Sequence, residues 1–211
     1  MTALEQPTWV YPFVRWLVRR AARTWLGVSV TGRAHLPAQG PYIVAANHVS
    51  FLDPPILGAE LAPITIRFMA RDTLMGNRFL RWLFRRLLCV PLDRTRGDLA
   101  ALRRALDTLA QGGILGLFPE GTRSPDGALQ PAKGGIGFLV AKAGVPVVPA
   151  YLDGTYQALP KGRRWPRRHP VTVRFGPPIT PADISALGAG KTLYPAAAEL
   201  IMQRIAALAP Q

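Results

Sequence analysis

The side chains best suited to chemistry in this chain stand five residues apart. They are His48 and Asp53, in the stretch YIVAANHVSFLD from 42 to 53. On one continuous α-helix, positions i and i+5 point roughly 140° apart, so the pair would not share a face. Pro54 and Pro55 follow Asp53 directly. They push Asp53 away from the α region and favour a new helix beginning at Pro54. A strand end, a turn and a helix start fit the stretch better, and there the imidazole and carboxylate can fold back toward each other. A carboxylate on one ring nitrogen fixes the tautomer and raises the basicity of the other, which makes a general base for a hydroxyl. The same residues also read as a helix N-cap at Asp53 and a satisfied polar histidine at a strand end.

A second motif, FPEGTRS, stands at 118 to 124. NHxxxxD followed by FPEGTR resembles the glycerolipid acyltransferase family, and within it the bacterial 1-acylglycerol-3-phosphate acyltransferases. The resemblance runs from about Gly32 to Gly176. It implies transfer of an acyl group from a thioester, acyl-CoA or acyl carrier protein, to the free hydroxyl of 1-acylglycerol-3-phosphate (lysophosphatidate), giving phosphatidic acid. It makes His48 the catalytic base and Asp53 the acid that orients it, with Asn47 beside them among the substrate-binding residues. Arg94, ending CVPLDR, and Glu120, Gly121, Thr122 and Arg123 are implied around the acceptor's phosphate. Arginine suits that task because it is always charged and binds phosphate with two donors, and Gly121 lets backbone N–H groups come close. Glu120 cannot bind phosphate and is expected to hold Arg123 or a glycerol hydroxyl. Lys133, before Gly134 and Gly135 at a helix start, is a further anion-site candidate. A thioester is already activated, so neither a covalent intermediate nor a cofactor is expected. VPVVPA at 145 to 150 resembles the family's last motif and reads as scaffold.

The elements that must position these residues follow from pattern. Apolar runs at 42–46 and 114–118 read as buried strands, with further strands at 27–32, 64–69, 89–92, 145–152 and 171–175. Pro146 and Pro149 mark the sixth of these as an edge or irregular strand. Helices are expected at 9–26, 54–61, 73–88, 98–110, 133–143 and 194–208. Leu99, Leu102, Leu106 and Leu109 read as the inward face of the fourth. Strands alternating with helices of this length predict an α/β fold, a single-domain sandwich with a mostly parallel or mixed central sheet.

Composition narrows the partners. The 211 residues carry 26 Lys and Arg against 12 Asp and Glu, a net charge of +14, which calls for a polyanionic partner. Two segments, 9–26 and 73–88, combine arginines with tryptophan and aliphatic residues, the pattern of helices lying on an anionic membrane surface. In the first, Arg15, Arg19 and Arg23 form a stripe expected to meet lipid headgroups; the other reading is a helix packed on the core by its apolar face. The chain thus divides into a membrane-interface helix, 1–26, and an acyltransferase domain, 27–211. MTALEQPTW is no signal peptide and no run of 18 uncharged apolar residues occurs, so peripheral attachment at the cytoplasmic face of the cell membrane is expected. The single Cys89 lies in an apolar run and reads as filler. Other chemistries fail: LGAGKT lacks the first glycine of a phosphate loop, no G-x-S-x-G elbow occurs, and the three histidines are too scattered for a metal site. A nucleic-acid binder built on RRWPRR would leave His48, Asp53 and FPEGTR without a purpose.

Overall fold

The computed structural model describes residues 4–71, 76–92, 99–133 and 135–210. Its strands are β1 (Ser29–Thr31), β2 (Tyr42–Ala46), β3 (Ile66–Arg71), β4 (Val90–Leu92), β5 (Ile114–Leu117), β6 (Val147–Asp153) and β7 (Thr172–Phe175). They form one seven-stranded sheet in the order β1-β7-β6-β2-β5-β3-β4. All neighbours run parallel except β6 and β7. The mostly parallel α/β sandwich expected from the sequence is the fold observed.

The helices are α1 (Val10–Leu26), α2 (Asp53–Glu60), α3 (Arg78–Arg86), α4 (Leu99–Ala110), α5 (Gly135–Ala143), α6 (Thr155–Ala158), α7 (Pro181–Ser185) and α8 (Leu193–Ala206). Alternate residues of the buried central strand β2 feed two cores. Tyr42, Val44 and Ala46 meet Ile56, Leu57 and Leu61 around α2, together with Ala22 and Leu26 of α1. Ile43 and Ala45 meet Ala105 and Leu109 of α4, Leu139 and Val140 of α5, and Ile201 and Ile205 of α8. So α2 leaves β2 toward one face, while α5 follows the neighbouring strand β5 on the other. A crevice opens between two such strands at their carboxyl ends, where ligands bind in open α/β sheets. His48 follows β2 there, and FPEGTRS follows β5.

Three expectations are corrected. The arginine stripe of α1 turns onto the domain rather than outward. Arg15 donates to the carbonyls of Pro63 and Ile64. Arg23 pairs bidentately with the buried Glu60 at 3.0 and 2.8 Å, and Arg19 and Arg33 close on the same carboxylate. A buried carboxylate needs such partners, and that requirement decides which side of α1 faces the domain. The outward side carries Trp9, Phe13, Trp16 and Leu17, all at least half exposed. Second, β6 lies inside the sheet despite its prolines. The carbonyl of Pro149 accepts from Gly176 N, so its N–H-less side faces the point where β7 has already ended at Phe175. Third, α4 buries Ala101, Ala105, Thr108 and Leu109, whereas Leu99 is exposed and Leu102 and Leu106 are half-buried.

Helices α5 and α8 touch through glycine. A Cβ on Gly137 would run into the carbonyl oxygen of Tyr194, whereas one on Gly135 would meet nothing within 4 Å. Gly137→Ala should therefore cost about 1–3 kcal/mol, seen as a melting temperature lower by roughly 3–10 °C. Gly135→Ala should melt within about 2 °C of wild type. Equal melting of the two variants would contradict the packing described.

Candidate active site

The chain leaves β2 at Ala46 and turns through residues 47 to 52 before α2 begins at Asp53. One oxygen closes that turn. Asp53 Oδ2 accepts the backbone N–H of Val49 and of Ser50, each at 2.7 Å, and lies 2.9 Å from His48 Nδ1. The Asp53 side chain is fully buried; that of His48 keeps 18% of its surface exposed. A carboxylate oxygen already taking two N–H bonds takes a third from Nδ1–H, so Nε2 keeps the lone pair. The pair therefore has the geometry of an oriented general base.

The imidazole rests on an aromatic column. Its ring stacks on Phe118 at 4.2 Å between centroids, and Phe118 stacks on Phe68 at 6.0 Å. Gly116 of β5 makes room for that column, since a Cβ there would overlap the Phe68 ring.

The FPEGTRS loop grips His48 by its backbone. Glu120 Oε1 accepts His48 N–H at 2.8 Å, and Ser124 N–H donates to His48 C=O at 2.8 Å. Glu120 is buried, and its second oxygen accepts from Gln130 N–H at 3.3 Å. Both bonds go to backbone N–H groups, a role for Glu120 that the sequence expectation did not include. Burial raises its carboxyl to about 7; the bonds from His48 and Gln130 pull the other way, and the charge of Asp53 pushes it further up.

Gly121 takes φ +62°, which lets its N–H close a turn onto Phe118 C=O at 2.9 Å. Thr122 lies half-buried in the same loop. The guanidinium of Arg123 stacks over the ring of Phe51, 3.4 Å from its centroid, which brings it to the turn that carries His48. Lys133 donates its backbone N–H to Pro119 C=O and lays its side chain along Gly121, with its surface exposed. Two motifs far apart in the chain thus meet at the carboxyl ends of neighbouring strands, with Arg123 on the turn that carries His48 and Lys133 along Gly121.

Two sequence-predicted positions stand elsewhere. Asn47 is buried; its amide donates to Leu152 C=O at 3.0 Å and accepts Leu152 N–H at 2.7 Å, so it ties β2 to β6. Arg94 lies outside the described residues. Ser50 and Phe51 were missed, although both sit inside NHxxxxD. Ser50 is buried and pins the turn, donating to Leu159 C=O at 2.8 Å and accepting Leu52 N–H at 3.1 Å. Cys89 is no nucleophile, because burial pushes its thiol up to about 12.

Residues 27–153 match the family model described as Acyltransferase, a span that contains both motifs. The chain belongs to the acyltransferase family. Relatives of this acyltransferase support the same assignment. It is 28% identical over 179 residues to a 1-acyl-sn-glycerol-3-phosphate acyltransferase of Bacillus subtilis (strain 168), covering 85% of this chain and 86% of that protein. A chloroplastic 1-acyl-sn-glycerol-3-phosphate acyltransferase of Brassica napus is 33% identical over 152 residues, 67% of this chain but only 44% of the plant protein. The chain thus spans less than half the length of that relative. The crystal structure of the 1-acyl-sn-glycerophosphate (LPA) acyltransferase, PlsC, from Thermotoga maritima matches with a TM-score of 0.76 at 32% identity. That match covers 94% of this chain and 79% of the other.

The raised Glu120 carboxyl has a testable signature. Its folded value of about 7 lies above the roughly 4.5 of an unperturbed glutamate. Between the two, the folded acyltransferase holds a proton that the unfolded chain has released. Glu120 therefore contributes stability that is full below about pH 4.5 and lost as pH rises through about 7. Glu120→Gln removes this dependence. In paired melts, the margin of wild type over Glu120→Gln should shrink steadily from about pH 5 to about pH 8. A margin that stays constant or widens would contradict the assignment.

Proposed function

We propose that this acyltransferase transfers an acyl group from an acyl thioester, acyl-CoA or acyl carrier protein, to the free hydroxyl of 1-acylglycerol-3-phosphate, forming phosphatidic acid. The observation that carries the reading is the clamp on His48: Asp53 holds its ring, Glu120 and Ser124 hold its backbone, and Arg123 stacks on the same turn. The names of the relatives supply the acceptor. His48 Nε2 takes the proton of the hydroxyl as its oxygen attacks the thioester carbonyl. The C–S bond then breaks, and the departing thiolate takes a proton back from the imidazolium. Asp53 stabilises that imidazolium and keeps Nδ1 the protonated nitrogen. General-base help of this kind is worth on the order of 10²- to 10⁴-fold. Arg123 and Lys133, with the Gly121 turn between them, anchor the phosphate, and Arg94 joins them.

A lipid acceptor has to be met at a bilayer surface, and none of the described helices is long and apolar enough to cross one. We assign the contact to the exposed ridge of Trp9, Phe13, Trp16 and Leu17 on α1 and to Phe79 and Trp82 on α3. Arg78, Arg81, Arg85 and Arg86 of α3 line an open cleft of about 760 Å³ against Glu5, Gln6 and Thr8, and they supply the attraction to anionic headgroups that the inward stripe of α1 does not. Attachment is peripheral, and at the cytoplasmic face, which suits a chain with one unpaired cysteine.

Purified protein given 1-acylglycerol-3-phosphate and either thioester should form phosphatidic acid; no product with either donor would sink the reading. Arg123→Ala should raise the KM for this acceptor about 10- to 100-fold, the loss of one charge-assisted phosphate contact of roughly 1.5–3 kcal/mol. Monoacylglycerol, which lacks the phosphate, should be used no worse by the variant than by wild type. Equal damage with both acceptors would move Arg123 out of the phosphate site.

The surface reading has its own test. Changing Trp9, Phe13 and Trp16 together to Ser should weaken sedimentation with anionic vesicles at least about tenfold and leave melting unchanged, because these rings are exposed. Arg23→Gln should do the reverse, lowering the melting temperature through Glu60 with vesicle binding intact. Full sedimentation of the triple variant would place the anchor elsewhere.

A further inference from the structure

Phe51 is an oddity of the reactive turn. It lies between His48 and Asp53, yet its ring is 52% exposed. Its backbone is held on both sides: Asp53 Oδ2 takes the Ser50 N–H, Ser50 Oγ takes the Leu52 N–H, and Ser50 itself is anchored to Leu159 C=O. A half-exposed aromatic on so rigid a turn is placed to meet something. What it meets is Arg123, whose guanidinium carbon stands 3.4 Å above the ring centroid. At that distance the cation lies flat on the π face. Stacking engages the face of the guanidinium alone, and its N–H donors lie in the plane, directed outward past the ring edge. The loop of Arg123 is also registered on the backbone of His48, since Ser124 N–H bonds His48 C=O.

We propose that Phe51 is a positioning residue for Arg123: its ring fixes the plane of the guanidinium beside His48 and thereby sets the affinity for the acceptor's phosphate. The proposal rests on the reading of Arg123 as a phosphate anchor. A flat stack narrows the orientations open to the guanidinium plane, and a plane set beforehand costs a bound phosphate less ordering. Phe51 stands on the same turn as His48, so the plane it sets is carried by the turn that carries the imidazole. Phosphate and reacting hydroxyl belong to one small molecule, so fixing one sets the position of the other.

The test compares Phe51→Leu, which keeps bulk but loses the π face, with Phe51→Trp, which keeps the face. Phe51→Leu should raise the KM for 1-acylglycerol-3-phosphate about 3- to 10-fold and leave kcat within about twofold. Phe51→Trp should stay near wild type. Added to Arg123→Ala, Phe51→Leu should change the KM no further. Arg123→Lys keeps the charge without the planar stack, so by itself it should raise the KM as Phe51→Leu does; it carries the test if Phe51→Leu melts abnormally, and an unchanged KM would then overturn the proposal. An additive rise in the double variant would mean that Phe51 touches the acceptor itself, and would overturn the proposal. If Arg123→Ala raises the KM and Phe51→Leu does not, the proposal alone falls. If Arg123→Ala leaves the KM unchanged, the phosphate-anchor reading falls and the proposal with it.

Discussion

Three N–H groups converge on one oxygen, Asp53 Oδ2: two from the backbone of the turn and one from the imidazole. Hydrogen bonds to a carboxylate are about twice as strong as neutral ones, and they make its burial tolerable. Because the donors come from consecutive residues, the bonds leave the turn from 48 to 53 a single compact shape. That shape begins α2 at Asp53, so the helix and the tautomer of His48 are set by the same atom. Losing Asp53 would expose two backbone donors as well as loosen a ring. Structure and chemistry are coupled at this residue.

The second hold on His48 comes from the other side of the crevice. Glu120 and Ser124 take its N–H and C=O, and the strands carrying the two motifs are hydrogen-bonded neighbours, with Tyr42 opposite Ile114. His48 therefore sits where two central, hydrogen-bonded strands end, with its ring against Phe118. A side chain confined in this way is oriented before any ligand arrives, the condition that pre-organisation describes. Arg123 belongs to the loop itself and lies on the ring of Phe51, while the carboxyl of Glu120 is buried.

Much of this was legible in the sequence, for physical reasons that also explain what was not. The unbroken apolar run YIVAA could only be a strand covered on both faces, and the paired prolines left few ways to place Asp53 other than back toward His48. Donor choice across long separations is a different matter. Glu120 reads as a loop acid, and no local pattern reveals that the N–H of His48 lies within its reach. Periodicity found the stripe of α1 but not its direction; Glu60 and the carbonyls of Pro63 and Ile64 turn arginines inward, a decision made by residues far along the chain. Asn47 was placed among the substrate-binding residues because it adjoins His48, whereas its amide imitates a backbone rung to Leu152. Pro149 suggested an edge because the end of β7 beside it could not be foreseen.

The central claim is that His48 is the base, and one rate tests it most directly. The variant His48→Ala leaves Asp53 with its two backbone donors and removes a side chain that is partly exposed, so it should melt like wild type. Its kcat with saturating 1-acylglycerol-3-phosphate and thioester should fall by at least about 10²-fold. Near-normal turnover by a variant with a native melting curve would contradict the account.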